Sequence, residues 1–203
     1  MCNILCVTNR SLCNEDFFSR LEKIAAAHPA GIILREKDLS ESEYTKLAEQ
    51  ALRICDKCNA QLIIHNYIHT AEILNVSKVH LPLNKLSVLS PEQKKIFSIL
   101  GASCHSVDDA KKAEDLGCTY ITAGHIFDTD CKKGLPGRGL DFLKAVCESV
   151  SIPVYAIGGI NFSNFSDVMK AGAKGACIMK SIMQAENVNN FITKFREKSN
   201  EIQ

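Results

Sequence analysis

The chain has 203 residues, 46 % of them hydrophobic and 23 % charged, and its 24 Lys and Arg nearly cancel 23 Asp and Glu to leave a net charge of +1. That balance excludes disorder, which needs low hydrophobicity and high net charge, and the length suffices for one domain with a sizeable core. It also excludes a global field that would draw in nucleic acid or an anionic membrane, so any anion site has to be local.

The opening MCNILCVTNR reads as a strand rather than a signal peptide, and no run approaches the ~18 apolar residues of a membrane span. Short β-branched runs then alternate with longer amphipathic stretches. A strand over 4–8 is followed by a helix over 16–27, and a strand over 31–35 by a helix over 41–58, where Ser40 and Glu43 have capping-box spacing. The strand 62–65 leads into a weaker segment after Asn66, and the strand 78–81 into another after Lys85; each has room for one short helix. A strand over 97–103 precedes a helix over 107–116, opened by Ser106 with Asp109 and closed by Gly117. The strand 119–123 runs into an irregular stretch, 124–139, that holds four glycines and one proline. A helix over 140–149, a strand over 154–157, a helix over 162–171 closed by Gly172, a strand over 176–179 and a helix over 188–198 complete the pattern.

Runs such as LIIH and YITAG lack polar alternation, as strands of a parallel sheet buried on both faces do. Repeated strand and crossover units predict either a doubly wound sheet or a (β/α)8 barrel. No GxGxxG follows the first strand, so the prediction is an α/β fold of the (β/α)8 TIM-barrel type, one domain over 1–203.

Ten cysteines would suggest a disulfide framework in a short secreted chain. Cys6, Cys118, Cys147 and Cys177 sit inside apolar runs, where a free thiol acts as a small hydrophobe, which favours a reducing, cytoplasmic setting. The pair Cys55 and Cys58 comes late in a helix and lacks the further ligands of a structural zinc site. His65 and His69 have the i, i+4 spacing of a zinc helix, but HNYIH lacks the glutamate of HExxH.

In a barrel the chemistry sits where the strands end. AIGGI and MKSI end the seventh and eighth strands, and Gly158, Gly159, Lys180 and Ser181 there are candidates for holding a phosphate. Arg35, Glu36 and Lys37 end the second strand and Asn66 follows the third, which places a cationic fork opposite that phosphate. His65, His105 and His125 compete on position alone for a proton-transfer role. The stretch 124–139, GHIFDTDCKKGLPGRG, supplies Thr129, Lys132 and Lys133 and reads as a lid.

The pieces LREK, SCHSVDDAKKAEDLGCTYITAGHIF, TDCKKGLPGRGL, IPVYAIGGI and NFSDVMKAGAKGACIM resemble the thiamine phosphate synthase and TenI superfamily, most densely over 103–179. The resemblance implies a barrel that takes a thiazole ethyl phosphate in thiamine biosynthesis. The synthase branch binds Mg²⁺ through an aspartate in an N-D motif and another in HxGQxD. Here those motifs read His65-Asn66 and His80-Leu81-Pro82-Leu83-Asn84-Lys85, and the synthase TxTK reads Thr129-Asp130-Cys131-Lys132. The TenI branch is similar in its loop, GHxFxTDCKKGLxGRG, and in Leu81-Pro82.

That branch implies a thiazole tautomerase, an isomerase without metal or redox cofactor. Its catalytic histidine falls on His105, and Arg35, assisted by Lys37 or Lys132, is expected to hold the ring carboxylate. It further implies a small-molecule thiazole phosphate as partner and a homodimer. One departure is Met179-Lys180-Ser181, where the branch has M-S-G or I-S-A. The Mg²⁺-dependent synthase and a non-catalytic thiazole-phosphate-binding or regulatory protein are the alternatives.

Overall fold

Eight short runs of branched and small residues form strands, five of them buried along their whole length, where a pleated β-branched surface packs best. The computed structural model describes residues 3–129 and 134–201. Its strands are β1 (Ile4–Val7), β2 (Gly31–Leu34), β3 (Leu62–His65), β4 (Lys78–Pro82), β5 (Ile99–Cys104), β6 (Tyr120–Gly124), β7 (Val154–Ile157) and β8 (Gly175–Ile178). All neighbours are parallel, in sequence order, and β8 closes on β1 with Ile4 opposite Ala176 and Leu5 opposite Cys177. The (β/α)8 barrel expected from the pattern is the observed fold.

Around it lie α1 (Phe17–Ala26), α2 (Glu41–Lys57), α3 (Ile68–Ile73), α4 (Leu83–Leu86), α5 (Pro91–Ile96), α6 (Val107–Asp115), α7 (Gly139–Ser149), α8 (Phe165–Lys170), α9 (Lys180–Met183) and α10 (Val188–Asn200). The period of two splits the strand residues between two cores. Ile4, Cys6, Ile32, Leu34 and Ile64 face the helices, while Leu5, Val7, Ile33, Ile63, Tyr120 and Cys177 fill the barrel.

The Ser40 and Glu43 capping box forms in full, with the Glu43 carboxylate accepting from Ser40 N at 2.9 Å. Buried Tyr44 of α2 donates its hydroxyl to Leu34 O at 2.6 Å and accepts from His65 N at 3.1 Å, which ties the helix to the ends of β2 and β3.

Several boundaries depart from expectation. Phe97 caps α5 and β5 starts at Ile99, because Ser90 with Gln93 forms a second capping box around Pro91 and claims the preceding residues for a helix. The helix expected from Phe162 begins at Phe165, after a turn in which Asn161 Oδ1 accepts from Ser163 N at 2.9 Å. Lys85 itself sits in a short helix, α4, and α9 has no counterpart in the expected pattern. Cys6, Cys118 and Cys177 are buried and Cys147 is half-buried; none of the eight described cysteines is in a disulfide. Among the described residues no helix is long and apolar enough to cross a membrane.

Candidate functional site

Parallel strands bring all their C-terminal ends to one edge, and here that edge surrounds a cavity of about 720 Å³. Nine of the ten site residues expected from the sequence line it. They are Arg35 and Lys37 after β2, Asn66 after β3, His105 after β5, Thr129 after β6, Gly158 and Gly159 after β7, and Lys180 and Ser181 after β8. Lys132 lies outside the described residues, as does the rest of 130–133, the middle of the expected lid.

The charge of the mouth is unbalanced. Arg35, Lys37 and Lys180 line it, and Glu36 is the one carboxylate among the described lining residues. Glu36 is only 2 % exposed and already accepts from Thr8 Oγ1 at 2.7 Å and Arg10 N at 2.9 Å. Burial pushes its pKa up, against the pull of those hydrogen bonds. Thr8 Oγ1 in turn accepts from Arg35 N at 3.0 Å, so the buried pair braces the backbone that carries the arginine. The Arg35 guanidinium meets Met179 Sδ at 3.8 Å, a weak acceptor that leaves the fork able to take an anion.

Across the mouth, the turn after β7 has Gly158 at φ 99° and Gly159 at φ 66°. A Cβ on Gly158 would lie 2.3 Å from His125 Cβ, and one on Gly159 2.6 Å from Asp128 O. Glycine is therefore required for the segment after β6 to lie across this turn. That segment is pinned at its base by Ile126 N to Ile157 O at 3.0 Å, Phe127 N to Gly158 O at 3.1 Å and Gly139 N to Ile126 O at 2.9 Å. The turn is thus held rigid beside α9, whose opening N–H groups have no partner within the helix.

The three histidines are no longer equivalent. His65 is buried and held down to about 3, by burial first and then by His80, Arg35, Lys37 and Lys85, so it is a poor base. His125 Nε2 donates to Leu135 O at 3.1 Å and serves the loop. His105 is exposed on the rim, and its Nδ1 is 2.9 Å from Gly124 O. A carbonyl only accepts, so Nδ1 carries the proton and the lone pair is on Nε2. The His105 backbone is held as well: its N–H donates to Asp109 Oδ2 at 2.8 Å, and Asp109 N donates to the Ser106 cap at 2.9 Å.

The metal patterns separate in space. His65 ends a strand, whereas His69 lies on α3, exposed and 3.8 Å from Glu72. Cys55 is buried in α2, its thiol pushed up to about 12 by burial. Among the described residues no group of three or more His, Cys, Asp or Glu could hold a metal. Mg²⁺ in particular needs hard, anionic oxygens. Asn66 offers only uncharged oxygens, its backbone carbonyl accepting from Lys85 Nζ at 3.2 Å, and Glu36 is committed to Thr8 and Arg10. Among the described residues the donor set does not fit the cation.

Sequence reasoning missed His80 as a site element. Ser103 lines the cavity and is 2.9 Å from His80 Nε2. A histidine inside the buried run KVHLP was the available signal.

A family profile described as thiamine monophosphate synthase matches residues 4–182. The chain is 32 % identical over 203 residues to a protein of Streptococcus pneumoniae named thiamine-phosphate synthase 2, covering 97 % of this chain and 94 % of the relative. It is 30 % identical over 200 residues to a protein of Fusobacterium nucleatum named thiamine-phosphate synthase, covering 96 % and 97 %. A solved structure titled thiamine phosphate pyrophosphorylase, from Pyrococcus furiosus, superposes with a TM-score of 0.83 at 26 % identity, over 99 % of this chain and 96 % of that one.

Proposed function

This chain belongs to the thiamine monophosphate synthase family, and from that premise we propose that it is a thiazole tautomerase, an isomerase that aromatises a carboxythiazole phosphate by proton transfer through His105. The observation that carries this reading is the His105 Nδ1 contact with Gly124 O, which leaves Nε2 as a base on the rim of a cationic cavity. Nε2 takes a proton from one ring carbon, the electron pair of the broken C–H bond enters the conjugated system, and the imidazolium returns the proton at another carbon of that system. The gain of aromaticity drives the step, and a positioned imidazole accelerates such a transfer by ~10²–10⁴-fold. Arg35, with Lys37 or Lys132, holds the ring carboxylate. The turn at Gly158 and Gly159, with Lys180 and Ser181, holds the phosphate. The absence of a disulfide among the described cysteines supports a reducing, cytoplasmic setting for it.

A second reading is a thiamine-phosphate synthase, a transferase, and the names of the relatives favour it. The donor set at Asn66 and Lys85 favours the first. The deciding experiment mixes the protein with the carboxythiazole phosphate tautomer and follows aromatisation by absorbance, with and without EDTA. EDTA-insensitive turnover is expected. Pyrophosphate release that needs Mg²⁺ and a hydroxymethylpyrimidine pyrophosphate would replace the tautomerase by the synthase. Tight binding of the aromatic product with neither turnover would replace it by a non-catalytic binding protein.

A further inference from the structure

The foot of the barrel holds a cavity that the proposed proton transfer does not use. It measures about 490 Å³ and shares none of its described lining residues with the mouth. Leu5, Ile63 and Tyr120, which fill the barrel, form its inner wall. A volume of this size admits a small molecule.

One polar group in this cavity is left unsatisfied. Asn3 lies two residues before Leu5, so its side chain points to the same side, into the barrel. It is 3 % exposed, yet among the described residues its Nδ2 has no hydrogen-bond partner. The backbone here is fixed. Asn3 O accepts from Ala176 N at 2.9 Å, and a Cβ on Gly175 would collide with that oxygen, so β8 and β1 meet at closest approach. The strand cannot shift to carry the amide into water. Burying an amide donor without an acceptor is unfavourable, and folded proteins pair nearly all such groups. Asn3 Nδ2 is thus left for an acceptor that no described residue supplies.

The walls give the class of molecule. Tyr120 and Tyr155 meet edge to face, 5.8 Å between ring centroids, and with Ile99 they offer an apolar bed for a flat ring. Lys174 is the one Lys or Arg among the described lining residues, and none of them is Asp or Glu. A carboxylate oxygen is a stronger acceptor than a neutral carbonyl and meets no like charge there. We propose that the foot of the barrel is a second binding site, for a small aromatic carboxylate that accepts from Asn3 Nδ2–H and lays its ring against Tyr155. This site does not depend on the tautomerase reading.

Titration of the full chain with benzoate, followed by ¹H–¹⁵N correlation spectra, tests it. The Asn3 side-chain amide is assigned by its loss in Asn3→Leu. Saturable shifts are expected at that amide and at the Ile99 and Lys174 backbone amides. Shifts confined to Arg35, Gly158 and Lys180, or shifts that never saturate, overturn the proposal. Asn3→Leu should bind benzoate about tenfold more weakly, since it removes a hydrogen bond to a charged group. Asn3→Ala makes the same test should the leucine variant not fold, and equal affinity in either folded variant overturns the proposal. Benzylamine carries a similar ring with the opposite charge and is expected to produce no saturable shift at the foot. Binding there as tight as that of benzoate overturns the choice of an anion.

Discussion

At the C-terminal edge of the barrel the strands end in Arg35, Asn66, His105 and Gly158 around about 720 Å³; at the N-terminal edge the same strands begin around about 490 Å³ lined by Leu5, Pro29, Ala30, Ile63 and Tyr155. The second cavity has Lys174 as its single Lys or Arg among the described lining residues. Both ends share one sheet and one register, so neither strand pairing nor burial distinguishes them. The difference comes from the segments that leave each strand. A polar side chain at a strand end costs little in sheet packing, and eight such ends converge on one volume, whereas the turns that enter the strands mainly close the core.

The largest effect that would sharpen this contrast is on turnover. His105→Ala should lower the rate of aromatisation by ~10²–10⁴-fold while the product still binds; unchanged turnover in that variant removes His105 from the chemistry. Next comes acid stability, which separates the barrel interior from its rim. Folded-state values of about 3 for His65 and about 4 for His80 lie below the ordinary 6.5, so the unfolded chain binds more protons below pH 6.5. Stability is therefore full above pH 6.5 and falls as the pH drops toward 4, by about 2 kcal/mol per histidine at pH 5. Urea midpoints at pH 7.5 and pH 5 check this, and a flat profile would contradict the neutral buried pair.

Arg35→Gln should weaken binding of the thiazole phosphate by about 10- to 100-fold with the melting temperature little changed, since a charge-assisted hydrogen bond contributes about 1.5–3 kcal/mol. The smallest effect is expected at the foot. Lys174→Ala should alter neither turnover nor binding and should change stability by about 0.5 kcal/mol or less. A binding loss there equal to that of Arg35→Gln would break the comparison outright.

Much of the architecture was legible because its signals are local. The unbroken apolar run LIIH, the Ser40 and Glu43 spacing, and Gly117 and Gly172 at φ 87° and 98° each state their conformation within a few residues. The same holds for the strand ends at Arg35, His105 and Gly158, which the barrel rule converts into a mouth. The second capping box, Ser90 with Gln93, is equally local, but apolar Phe97 beside the next strand masks it. The roles of the histidines were not legible. In sequence His65, His105 and His125 are each a histidine at a strand end, yet one is buried beside a second histidine, one is bonded into a loop and one sits on the rim with its Nδ1 held by a carbonyl of the neighbouring strand.

The order of apolar runs and turn residues determined the eight parallel strands, the closed barrel and the edge at which polar groups gather, because period and capping act over a few residues. Tertiary structure alone decided which of those groups are chemically available. The Glu36 carboxylate is consumed by Thr8 and Arg10, the Lys85 ammonium is drawn to the Asn66 backbone carbonyl, and the His105 tautomer is set by Gly124 O on the neighbouring strand. Hydrogen-bond partners and burial fix proton positions and charge, and both are assembled only when residues far apart in the chain close into the barrel.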